Sequence, residues 1–109
     1  MIGIIFSYAG DVVEVRVTDG TLYFRTAGSP AFATIDGLKL SKEGAIKEHP
    51  DLKNNNNWKD ESIKRLKEKV KNMKNENEVC NYVIDELRSV GYIPLYKQQN
   101  GWRPVKLNG

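Results

Sequence analysis

A single cysteine and a single histidine stand among the 109 residues, and neither belongs to a recognisable motif. Cys80 alone excludes an intramolecular disulfide framework and the usual cysteine-based zinc cluster, and it fits a reducing compartment. His49 precedes Pro50 at the end of a short helical stretch, where a solvent-exposed imidazole is the ordinary outcome. No apolar run approaches the roughly 20 residues that a membrane-spanning helix needs. The opening MIGIIFSYAG has no basic leader and is interrupted by Ser7, Tyr8 and Gly10, so it reads as a first strand rather than a signal peptide. These absences point to a cytoplasmic protein without a membrane partner. Also missing are a glycine-rich phosphate loop, an HExxH helix and a GxSxG nucleophile turn. The chain reads as a binding protein rather than an enzyme, with no catalytic residue, cofactor or metal assigned.

What is present is charge, unevenly placed. Seventeen Lys and Arg against fourteen Asp and Glu give a net charge of +3. Residues 1–37 carry two arginines against four acids, residues 38–75 carry eleven basic side chains against six acids, and the remainder balances at four and four. The basic excess therefore belongs to the middle of the chain. With 39% hydrophobic residues, the composition is that of a folded globular protein.

Periodicity divides the chain into a β-meander (1–37), a helical middle (38–91) and a hairpin with its tail (92–109). Ile2, Ile4, Phe6 and Tyr8 share one side of a first strand, Val13, Val15 and Val17 one side of a second, and Leu22 and Phe24 one side of a third. Asp19-Gly20 signals a type I′ turn that sets Val17 opposite Leu22 and Val15 opposite Phe24. The same register sets Glu14 opposite Arg25 and Arg16 opposite Tyr23, a charge pair and a cation–π pair on the other face. Gly10-Asp11 as the earlier turn sets Tyr8 opposite Val13. AFATI (31–35) reads as a short fourth strand.

Ser41 predicts the cap of a helix over 42–49, ended by Pro50. Asn57 predicts the cap of a second over 58–74, with Ile63, Leu66, Val70 and Met73 as its apolar stripe. Asn75 and Glu78 predict a capping box for a third helix, whose broad apolar face includes Cys80 and which Gly91 stops. Asn100-Gly101 predicts a two-residue hairpin turn, with Tyr96 opposite Val105. The fold class is α+β: an N-terminal antiparallel meander of three or four strands, two or three helices packed on one face, and a C-terminal β-hairpin.

Lys64, Lys67, Lys71 and Lys74 repeat at the spacing of the apolar stripe, rotated by one residue. They form a row of about 15 Å along one flank of the second helix, able to follow a phosphate backbone. The plainer reading of the row is a solvated helix face, partly neutralised by Glu68 four residues after Lys64. In the two-residue hairpin, Lys97, Gln99, Trp102 and Lys106 share one face, mixing cations, an amide and an aromatic ring in the manner of phosphate-holding, base-stacking surfaces. Pro104 falls opposite Lys97 in that register, where its missing N–H would break the ladder, so the pairing ends near Arg103 or the loop is longer. The expected function is non-catalytic binding of DNA or RNA by a small basic accessory or regulatory protein, mostly through backbone contacts. The competing expectation is a protein partner or a second copy of the chain, met by Glu14, Arg16, Tyr23 and Arg25.

Two further patterns bear on nucleic acid. Glu78 to Val105, a helix ending in Gly-aromatic and followed by two strands, resembles the opening of the double-stranded-RNA-binding-like unit of HicA-type RNA-cleaving toxins over about a quarter of the chain. The resemblance implies an RNA-facing ancestry. It does not extend to cleavage, because the histidine that such toxins carry has no counterpart in 93–107. A winged helix, with 76–90 as recognition helix, would have to read bases with a largely apolar face.

Overall fold

The computed structural model describes residues 2–99 and 105–107. Their strands are β1 (Ile2–Tyr8), β2 (Asp11–Thr18), β3 (Thr21–Thr26), β4 (Ala33–Thr34), β5 (Ile93–Gln99) and β6 (Val105–Lys106). Their helices are α1 (Lys42–Glu48), α2 (Trp58–Asn72) and α3 (Glu76–Ser89), with short 3₁₀ turns at Ile35–Gly37 and Pro50–Leu52. The strands form one antiparallel sheet in the order β4-β3-β2-β1-β5-β6. β5 enters at the free side of β1, so the N-terminal strand lies inside the sheet, between β2 and β5.

All the helices lie on one face. α2 packs over β3, and α3 over β1 and β5. The expected alternation drives this: Ile2, Ile4, Phe6, Val13, Val15, Val17 and Leu22 are buried beneath Ile63, Leu66 and Val70 of α2 and Val79, Cys80, Val83, Ile84 and Leu87 of α3. Burying an aliphatic side chain of this kind contributes about 1.5–3 kcal/mol.

The helix ends follow their caps. Ser41 Oγ accepts from Gly44 N at 3.2 Å, and Asn75 Oδ1 accepts from Asn77 N at 2.9 Å and Glu78 N at 3.2 Å. Asn57 makes no side-chain cap bond; Asn55 Oδ1 instead accepts from Asn57 N at 2.7 Å. Gly91, at φ +104°, ends α3 in the left-handed region and lets Tyr92 N donate back to Leu87 O at 2.9 Å. Tyr92 then turns inward, its ring stacked 4.2 Å from Tyr8 and edge-on to Phe6, its hydroxyl donating to Lys39 O at 2.6 Å.

Three expectations need correction. The first turn is Ala9-Gly10, with Ala9 at φ +50°, so Tyr8 pairs with Asp11 and Phe6 with Val13. A slip of two residues preserves the faces, which is why the core was still legible; alanine is simply a rare choice for a left-handed position. The fourth strand is reduced to Ala33–Thr34, because the chain turns into 3₁₀ geometry at Ile35. In the C-terminal pair, Tyr96 lies opposite Lys106 and Lys97 opposite Val105. A one-residue slip from the expected register exchanges the faces of β6 relative to β5.

Candidate functional site

The face of the sheet away from the helices is the surface the fold leaves open. At Gly3, near its centre, Glu14 Oε2 and Gln98 Cβ stand 3.8 and 3.9 Å from where a Cβ would lie, ordinary contact distances that place both neighbouring side chains over β1. Glu14, 11% exposed, accepts from Arg16 Nε at 2.8 Å and from Arg25 Nε at 2.9 Å. Register puts Arg25 opposite Glu14 as expected, and Arg16 opposite Tyr23. The ring that the arginines cover, however, is Phe32: their guanidinium carbons stand 4.3 Å (Arg16) and 4.9 Å (Arg25) from its centroid. One carboxylate below and one ring beside thus hold two guanidinium groups in fixed positions, each side chain still more than a third exposed.

Around this group the face is mixed. Val12, Ile93 and Tyr96 are exposed large apolar side chains. Ile5, Val12, Glu14 and Arg25 floor a hollow of about 410 Å³ beneath the loop 26–30. Tyr96 and Lys106 are cross-strand partners, and Tyr96 also pairs with Ile5, so both belong to this open face. Three cations, Arg16, Arg25 and Lys106, share it with Tyr23, Phe32 and Tyr96 and with Glu14.

The α2 lysines lie in the other layer. Lys64, Lys67 and Lys71 are exposed along one flank, as their spacing requires, but Lys74, the expected fourth member, lies past the end of α2, which stops at Asn72 with Met73 already extended. Lys67 Nζ is bound to Asp36 Oδ1 at 2.9 Å, and that hydrogen bond holds the Asp36 carboxyl below its usual range. Lys67 and Lys71 line a hollow of about 250 Å³ with Asp19, Asp36, Thr21 and Thr34. The helical row is therefore three lysines long, and carboxylates stand beside Lys67 and Lys71.

The hairpin residues are divided. Lys97 shares the helix-side face with Ile4 and Val105, half-buried, and its charge acts on Cys80. Lys106 shares the opposite face with Tyr96, so the expected Lys97–Lys106 pairing on one face is overturned by the register. Trp102 lies outside the described residues. Cys80 is fully buried on α3, and burial pushes its thiol up, as befits a core side chain. Val79, Val83 and Leu87 turn α3 into the sheet, which leaves the winged-helix reading without a free recognition helix.

Phe32 is the site residue that sequence reading missed. It sits between Pro30 and a two-residue strand, where no period assigns a face. Among the described residues, no group of side chains is arranged to hold a metal ion, and no helix is long and apolar enough to cross a membrane. No family model matches the chain, and no curated protein or solved structure is significantly similar to it.

Proposed function

We propose that this protein binds single-stranded nucleic acid, DNA or RNA, without catalysis, chiefly through the open face of its sheet. The observation that carries the reading is the company on that face: Arg16, Arg25 and Lys106 interleaved with Tyr23, Phe32 and Tyr96. Cations follow a phosphate backbone, and aromatic rings stack bases of any identity at about 1–3 kcal/mol per base, so binding is strong in salt dependence and weak in sequence preference. An uncovered antiparallel sheet also offers a flat platform on which splayed bases lie. The lysine row on α2 contributes longer-range attraction, reduced by Asp36 and Asp19. Such a protein acts as an accessory or regulatory factor in the cytoplasm, where its single buried thiol stays reduced.

The test is a titration of labelled single-stranded RNA, single-stranded DNA and duplex at about 50 and about 200 mM salt. Single strands are expected to bind more tightly than duplex and to weaken steeply with salt. Arg16→Gln with Arg25→Gln should flatten that slope, whereas Tyr96→Ala should weaken binding and leave the slope unchanged. Lys67→Gln with Lys71→Gln should lower the slope less than the arginine pair. No binding at the lower salt overturns the proposal.

The exposed Val12, Ile93 and Tyr96 favour a second reading, in which another protein chain or a second copy covers this face. A dimer in light scattering, together with no nucleic-acid binding, would select it.

A further inference from the structure

The open face of the sheet is not flat. Beside the paired arginines it sinks into the hollow of about 410 Å³ beneath the loop 26–30. Local chemistry builds the wall of this recess. Ala27 N donates to Val12 O at 2.9 Å, and Ser29 N to Thr26 O at 3.0 Å, which closes a turn over 26–29. Gly28, at φ +88°, takes the third position of that turn, where a left-handed residue is required. Nothing lies within 4 Å of where its Cβ would stand, so the backbone angle rather than crowding accounts for the glycine.

The floor and the rim of the recess differ in chemistry. The floor is aliphatic, made by Ile5 and by Val12, which is 45% exposed. The rim is Arg25, whose guanidinium group shares the Phe32 ring and the Glu14 carboxylate with that of Arg16. Among the described residues, Glu14 is the one acid on this face of β1 to β3. Two fixed guanidinium groups against one carboxylate leave a positive charge in excess, and it stands at the mouth of an apolar recess.

We propose that the recess seats one unpaired nucleotide of the bound strand, its base on the Ile5–Val12 floor and its phosphate on Arg25 and Arg16. The inference rests on the nucleic-acid reading for the source of the nucleotide and adds a second mode of contact to it. Exposed rings stack bases in passing, whereas the recess encloses one. Its volume lies in the range of small-molecule sites, about 300–1,000 Å³, and an apolar floor with a few polar groups at the rim is their usual make-up. Guanidinium forks match phosphate oxygens, and the excess positive charge matches the single negative charge of a phosphodiester.

Backbone and arginine side-chain NMR of the full chain reads base and phosphate separately, with adenosine monophosphate and ribose phosphate as probes at millimolar concentration. Both should shift the Nε–H signals of Arg16 and Arg25. Adenosine monophosphate alone should also shift the amides of Val12, Ala27 and Ser29. Val12→Gln, a change at an exposed position that the fold tolerates, should weaken adenosine monophosphate about tenfold and leave ribose phosphate unchanged. Identical shifts from the two probes overturn the proposal, because the base is then not seated. Single strands that bind while the three amides stay still also overturn it, and leave the strand reading intact. Adenosine monophosphate that shifts these amides while no strand binds supports the seat and overturns the strand reading instead.

Discussion

Ser62 carries the one buried side-chain polar atom among the described residues that has no hydrogen-bond partner. A hydroxyl taken out of water without a partner costs about 1–3 kcal/mol, and serine is also a poorer helix former than alanine. Ser62→Ala should therefore raise stability by about 1 kcal/mol, read as a higher midpoint in urea unfolding with an unchanged slope. Tyr92 is the opposite case. It is buried with its hydroxyl satisfied by Lys39 O, and burial accordingly pushes its phenol up without leaving a polar group stranded. Glu14 shows a third solution, in which a carboxylate taken largely out of solvent is matched by two guanidinium groups. None of these outcomes is visible in residue type alone. Serine, tyrosine and glutamate each have the same sequence signature whether or not a partner arrives.

Among the elements, those ended by local chemistry were legible and those placed by distant chemistry were not. Ser41, Asn75 and Gly91 fix helix ends through bonds to residues within five positions, and each acts where its type predicts. The apolar stripe of α2 is read correctly from three- and four-residue spacing, with Ile63, Leu66 and Val70 buried. The β5–β6 register differs by one residue from the expectation counted from Asn100-Gly101, which lies outside the described residues, and one residue exchanges every side chain between faces. β5 itself is irregular. Its register against β1 shifts where Pro94 comes opposite Phe6 and Tyr96 opposite Ile5, and Leu95 is left between them. Proline, having no N–H to give, is suited to such a break. At the α1–α3 crossing, Gly44→Ala tests backbone contact. A Cβ on Gly44 would overlap the carbonyl oxygen of Ser89; overpacking costs about 1–3 kcal/mol and the helix gains up to about 1 from the exchange, so stability should fall by up to about 2 kcal/mol in thermal unfolding.

For the whole molecule, the decisive property is that a six-stranded sheet is covered on one side only. Ile4, Phe6 and Val15 on the covered side are fully buried, whereas Ile93 on the open side is 50% exposed. Ile93→Ser should then change the unfolding free energy by less than about 0.5 kcal/mol, at any protein concentration, when measured by urea titration. A loss that is present at high protein concentration and shrinks on dilution would mean that a second chain covers this face. Among the described residues, the sheet limits its own growth in a different way: its edges, β4 and β6, each pair over two residues. Short edge strands offer little template for a further strand. Contact through the open face is thus better provided for than contact along the edges.

The sequence by itself determined the alternation of β1 to β3, the helix caps, the apolar stripes and the α+β class, because each rests on spacings of two to five residues. Charge placement was partly legible: the row of Lys64, Lys67 and Lys71 on α2 and the facing of Glu14 with Arg25 follow from helical and strand periods, whereas Lys74 falls beyond the helix end. Tertiary structure alone decided that β5 pairs with β1, that Phe32 lies beside Arg16 and Arg25, and that Lys97 and Lys106 part to opposite faces. The reason is physical: these relations join residues far apart in the chain, and their geometry is fixed by how the apolar faces pack together rather than by any local period.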